Sequence, residues 1–177
     1  MKLLLIALLL AAPLCAQNTP KERFGQTPAP PTAACGSTPT SFSVKTDDAQ
    51  HGLPPLETGK AQIVFIHDAG SEGSGIGYPT TKLAIDGTWV GANHEDTWFA
   101  VAVEPGEHHL CVTLQSNLVD SRVELAHLTA QPGGVYYYRT RLVMSRQVEL
   151  LELEPIDSDE GRYLIEAFPM SVSKAKR

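Results

Sequence analysis

After its opening stretch, this sequence has no apolar run approaching the ~20 residues a membrane span needs. It also lacks blocks of like charge. Lys and Arg number 14 against 20 Asp and Glu, for a formal charge of −6. Those charges are scattered, which argues against a basic patch and so against nucleic acid as a partner. The short basic end Lys174, Lys176 and Arg177 reads as a frayed tail over 171–177. Cysteine is scarce, with three in the chain. There is no internal repeat, and no nucleophile elbow that would announce a hydrolase. What remains is a chain of 177 residues, 42% hydrophobic and 19% charged, which suits one globular domain rather than a disordered one.

The opening stretch is the most specific signal. Lys2 supplies a positive charge, Leu3 to Leu10 is unbroken apolar sequence, and Pro13 precedes Leu14-Cys15-Ala16 and polar Gln17. This is the pattern of a signal peptide over 1–16, cleaved after Ala16, and it places the protein in the periplasm or among secreted proteins. A lipid anchor through Cys15 is the alternative. Such processing favours a small residue before the cysteine, where this chain has Leu14. Cleavage leaves Cys35 and Cys111, which in an oxidising compartment are expected to form a disulfide bond. Residues 17–40 carry Pro20, Pro28, Pro30, Pro31 and Pro39 among Thr, Ala and Ser, and read as a flexible tether.

From residue 41 to 170 the pattern is that of a single β domain. Phe42 and Val44 alternate in a short first strand. Ala61–Ile66 is apolar at nearly every position, as a strand buried on both faces must be. Thr81–Ile85, Asp86-Gly87 and Thr88–Val90 form a hairpin, because Asp-Gly tolerates the positive φ of a type I′ turn. Gly91 to Asp96 reads as a polar break and Thr97–Val103 as another buried strand. In Glu107–Leu114 the aliphatic Leu110, Val112 and Leu114 share one face and His109, Cys111 and Thr113 the other, so a Cys35–Cys111 bond straps the tether across the outside of a sheet. Arg122–Thr129 and Val135–Met144 continue the series. The phase change at Leu150-Leu151 predicts a bulge. Asp157 and Glu160 suggest a capping box opening a helix with a Leu164, Ala167, Phe168 stripe. Short strands separated by Gly/Pro turns predict a mostly β fold, an antiparallel β-sandwich of the Ig-like or transthyretin-like class with a short C-terminal helix.

Candidate chemistry is sparse. The histidines are His51, His67, His94, His108, His109 and His127. His94-Glu95-Asp96 and Glu107-His108-His109 could offer metal ligands, but His108 and His109 are neighbours on a strand and point to opposite faces. No metal and no cofactor is expected from these patterns. Gly70, Gly73, Gly75 and Gly77 invite a phosphate-loop reading, which the missing Lys-Ser/Thr and helix oppose. Ser71 and Ser74 lie in that loop near His67, without the context of an activated nucleophile. The acids Glu149, Glu152, Glu154, Asp157, Asp159 and Glu160 read as surface charges. Trp89, Trp98 and Tyr136 to Tyr138 could stack on a glycan or peptide. Among them Tyr137, beside Arg139 and Arg141, is expected on an outer face and is the candidate binding surface.

From Gly59 to Leu153 the order of motifs resembles exported bacterial proteins grouped as domain of unknown function 2846. The residues are Gly59-Lys60-Ala61-Gln62-Ile63-Val64-Phe65, Gly75 and Tyr78, Ile85-Asp86-Gly87 with Val90-Gly91, Val103-Glu104-Pro105-Gly106-Glu107-His108, and Gly134-Val135-Tyr136-Tyr137-Tyr138. The resemblance implies a β-sandwich module of the bacterial envelope or secreted space and transfers no catalytic residue. Members resemble lipoproteins, from which this chain departs at Leu14. The expectation is a non-enzymatic binding or structural module with an envelope protein, peptide or glycan as partner. The alternative is a small exported enzyme or metal-binding protein working from the loops Gly70–Gly77 and Gly91–Asp96.

Overall fold

A computed structural model of the chain describes residues 34–35, 40–50, 52–70, 79–115, 123–145 and 148–176. The strands are β1 (Phe42–Asp47), β2 (Ala61–His67), β3 (Thr81–Ile85), β4 (Thr88–Asn93), β5 (Thr97–Val103), β6 (Gly106–Leu114), β7 (Val123–Ala130), β8 (Val135–Ser145), β9 (Val148–Ile156) and β10 (Met170–Ala175). One helix, α1 (Ser158–Ala167), lies between β9 and β10. A six-stranded sheet runs β1-β10-β5-β2-β8-β9, and a four-stranded sheet runs β4-β3-β6-β7. The two form a β-sandwich. Pairing is mostly antiparallel, with β2 parallel to β8 and β10 parallel to β5.

The apolar run at Ala61 forms β2 because every position has something to bury against. It lies between β5 and β8, and all its residues are buried. Ile63 and Phe65 enter the core between the sheets with Leu83, Leu110, Val112 and Tyr138. Val64 and Ile66 face the other way, into a second core with Trp98, Tyr137, Leu164 and Ile165 under α1. At the β3–β4 turn Asp86 has φ 49° and Gly87 φ 78°, the left-handed pair a type I′ turn demands.

The signal segment 1–16 and most of the expected tether, 17–33 and 36–39, lie outside the described residues. Within that tether Ala34 and Cys35 are buried against the outer face of the four-stranded sheet, beside Ala84 and Cys111. The Cys35–Cys111 disulfide is formed, with Cα atoms 5.1 Å apart.

Several sequence expectations are corrected. β4 continues through Asn93, so the polar break narrows to 94–96. Leu150-Leu151 makes no bulge: β8 and β9 pair in unbroken register from Tyr137↔Ile156 to Ser145↔Val148. Leu151 faces the inter-sheet core and Leu150 faces solvent, so the two leucines mark opposite faces of one regular strand. The register shift falls instead opposite Leu83 and Ala84, where β4 holds the extra residue Val90. The capping box is half made. Asp157 accepts from the amides of Asp159 and Glu160, while the Glu160 carboxylate turns to Arg139. The buried helical face is Gly161, Leu164 and Ile165, with Phe168 following, and Ala167 is exposed. The largest correction concerns the expected frayed tail. Residues 170–175 form β10, inserted between β1 and β5, with six paired positions against β1. The sandwich therefore extends beyond residue 170. Six paired positions with β1 and one bridge to Trp98 of β5 hold a segment whose side chains alternate too weakly to signal a strand.

Candidate functional site

The loop end of the sandwich gathers polar side chains from strands far apart in sequence. β2 ends in His67, whose register partners are Thr97 on β5 and Thr140 on β8. Thr81 pairs with Asn93 at the same end of the facing sheet. All five are buried. They continue the inward face that Phe65, Phe99, Tyr138 and Leu83 occupy one layer deeper, so the apolar core gives way here to a polar layer. Asn93 Nδ2 donates across the sandwich to the Phe65 carbonyl at 3.2 Å, and Thr140 Oγ1 donates to the Ile66 carbonyl.

His67 is fixed in one tautomer by geometry. Its Nδ1 lies 2.7 Å from the Glu95 carbonyl, which can only accept, so Nδ1 carries the proton and Nε2 keeps its lone pair. Burial pushes the imidazole below its ordinary range, outweighing the Glu95 carbonyl and the carboxylates of Asp96 and Asp68. Among the described residues Nε2 has no hydrogen-bond partner, and neither do Thr81 Oγ1 and Asn93 Oδ1. The residues on either side of the glycine loop contact the 94–96 turn here. The Ala69 amide donates to Asp96 Oδ1 at 2.7 Å, and Thr80 Oγ1 meets His94 Nδ1 at 3.3 Å. Residues 71–78, with Ser71, Ser74 and the remaining glycines, lie outside the described residues.

The expected binding surface is built differently. Tyr137 is on the face of β8 away from the inter-sheet core, as expected, but α1 covers that face and Tyr137 is buried under it. Arg139, on the same face, is mostly buried and pairs with Glu154 on β9, Glu160 on α1 and, more distantly, Asp68. Arg141 is more exposed, and its Nε donates to Asp68 at 2.9 Å. The arrangement fastens α1 and the end of β2 to β8. Of the other aromatic candidates, Trp98 is wholly buried and its Nε1 donates to the Phe168 carbonyl at 3.0 Å. Trp89 packs beside the disulfide with the Lys82 ammonium 4.5 Å from its ring centre.

His108 and His109 do point to opposite faces. His108 sits between two acceptors, Asp86 Oδ2 and the Glu104 carbonyl, each at 2.7 Å. Satisfying both requires a proton on both nitrogens. Desolvation opposes that charge, but the Glu104 carbonyl and the Asp86 carboxylate overcome it, and the His108 pKa is raised. Asp86 is held low in turn, its partial burial being outweighed by the His109 amide and the His108 side chain. The pair clips the β3–β4 turn to the β5–β6 turn. The sequence carried a cue for this in Asp-Gly and Pro-Gly-Glu-His, but not the juxtaposition. Among the described residues no group of three or more His, Cys, Asp and Glu is placed to hold a metal ion.

No family model, no curated protein and no solved structure matches the chain. The resemblance of Gly59 to Leu153 to exported envelope proteins therefore stands on its motifs alone.

Proposed function

We propose that the chain is an exported β-sandwich module of the bacterial envelope or secreted space, with a binding or structural role rather than a catalytic one. The observation that carries this reading is the disulfide between Cys35 and Cys111, fully built and buried on the outer face of a sheet. A bond of this kind persists in oxidising compartments, and the chain opens with the pattern of an export leader. The best-placed charged groups support the same reading. Arg139, Asp68, Glu154 and Glu160 hold α1 in place, and His108 with Asp86 joins two turns. No helix among the described residues is long and apolar enough to cross a membrane. The partner classes that suit such a module are an envelope protein, a peptide or a glycan.

The test is the intact mass of the protein from soluble and membrane fractions, with and without reductant and alkylation. A soluble species starting at Gln17 with no free thiol supports the reading. A lipidated species starting at Cys15 replaces soluble export with a membrane-tethered module. An uncleaved cytoplasmic species with free thiols overturns it.

A second reading is favoured by one observation: the flanks of the glycine loop meet the 94–96 turn directly above His67. A small exported enzyme would draw its base from His67, whose Nε2 lone pair has no partner among the described residues. A panel of peptide, ester and glycoside substrates, compared between wild type and His67→Asn, separates the two readings.

A further inference from the structure

The outer face of the four-stranded sheet places two histidines directly opposite each other. In the β6–β7 ladder His109 pairs with His127, flanked by Glu107↔Thr129 and Cys111↔Leu125. Both imidazoles are on the exposed face, because the residue that follows each histidine, Leu110 and Leu128, points into the core. Their eighteen-residue separation hides this from a search for close ligand spacing.

The kind of pairing can be read from the backbone. The His109 amide donates to Asp86 Oδ1 and its carbonyl accepts from the Asp86 amide, so both groups point toward β3. The His127 carbonyl likewise turns away from β6 and accepts from Tyr138 Oη. The two residues therefore form a non-hydrogen-bonded antiparallel pair, the type in which Cα atoms are about 4.5 Å apart and side chains lie closest. Two imidazoles so placed can reach one ion from the same side.

We propose that His109 and His127 form a bidentate surface site for a divalent transition-metal cation that favours imidazole. Copper(II) binds most tightly in the general order for nitrogen ligands, and nickel(II) and zinc(II) bind more weakly. Two protein nitrogens leave the remaining positions to water. Such an ion cross-links β6 to β7, the last strand of its sheet. Binding therefore raises the stability of the fold as the metal concentration exceeds its dissociation constant.

The test uses the full chain without a polyhistidine tag and with Cys15 alkylated, titrated with nickel(II) chloride by calorimetry and by thermal melting. The expected result is one saturable ion per chain and a midpoint that rises with nickel. His109→Ala and His127→Ala each weaken binding by about 100-fold, the loss expected when a two-point attachment becomes one-point. His94→Ala leaves it unchanged. His109→Asn and His127→Asn give the same loss, with an unchanged circular dichroism spectrum showing that the fold is intact. Absence of a saturable site in wild type, or its survival in either single variant, overturns the proposal.

Discussion

Gly161 lies against the ring of Tyr137: a Cβ built on the glycine would stand 2.4 Å from the ring Cγ and Cδ1. Glycine costs helix stability in a helix interior, yet at this position it is what lets α1 sit on the sheet. Gly161→Ala gains about 1 kcal/mol of helix propensity. It also forces the buried Tyr137 ring to move, at a cost of about 1–3 kcal/mol. The net expectation is a lower urea midpoint, and Gly161→Ala combined with Tyr137→Leu recovers part of the loss. A higher midpoint in the single variant would show that α1 lifts off easily.

Arg139 is expected to hold α1 more by charge than by packing. Arg139→Met leaves Asp68, Glu154 and Glu160 close together without their shared cation. The loss is about 1–3 kcal/mol, below that for a fully buried pair because Glu154 and Glu160 are partly solvated. Hydrogen exchange should show the loss concentrated in residues 158–167. Arg139→Lys rescues little, since an ammonium lacks the planar fork that reaches carboxylates on different sides.

Reduction of Cys35–Cys111 is expected to cost up to about 4 kcal/mol in the chain-entropy picture of a long closed loop. The bonded residues are 76 apart in sequence. Cys35→Ser with Cys111→Ala should lower the thermal midpoint while keeping the β-type circular dichroism spectrum, because the inter-sheet core does not include the bond.

Two histidines should give the stability opposite dependences on pH. His67 is held below its ordinary pKa, so the unfolded chain takes up a proton that the folded chain resists. Its contribution is complete above the unfolded value near 6.5 and is lost as pH falls toward the folded value. His108 is held above its ordinary pKa, so its contribution is complete below about 6.5 and is lost as pH rises through the folded value. Asp86, held low, contributes above its unfolded value near 3.8 and loses that contribution in stronger acid. Urea midpoints measured from pH 4.5 to 9 check this. His67→Asn should flatten the acid limb and His108→Asn the neutral-to-alkaline limb, and a profile unchanged in both would refute the assignments.

Much of the sandwich was legible because burial leaves a period in the sequence. The aliphatic face of Glu107–Leu114 placed Cys111 outward, and Asp86-Gly87 marked its turn through the φ it must adopt. β10 was not legible, because Met170 to Ala175 alternates weakly and gains its place from β1 and β5 on either side. Tyr137 was assigned to the correct face, but whether that face meets solvent depends on α1, which arrives from later in the chain. The polar layer at His67, Thr81, Asn93, Thr97 and Thr140 was missed because its members come from five strands and share no spacing.

The amino-acid pattern alone carried the β-sandwich class, the inward and outward sides of the best-patterned strands and the capped start of α1. These follow from local rules: the two-residue period of a strand, the φ demanded by a turn and the exposed amides at a helix start. It took the assembled fold to show that His67 meets the Glu95 carbonyl, that Arg139 gathers carboxylates from β9, α1 and the residue after β2, and that His109 faces His127. Those relationships depend on strand order and register, which are set by how the whole apolar surface is buried at once, and no local stretch of residues encodes them.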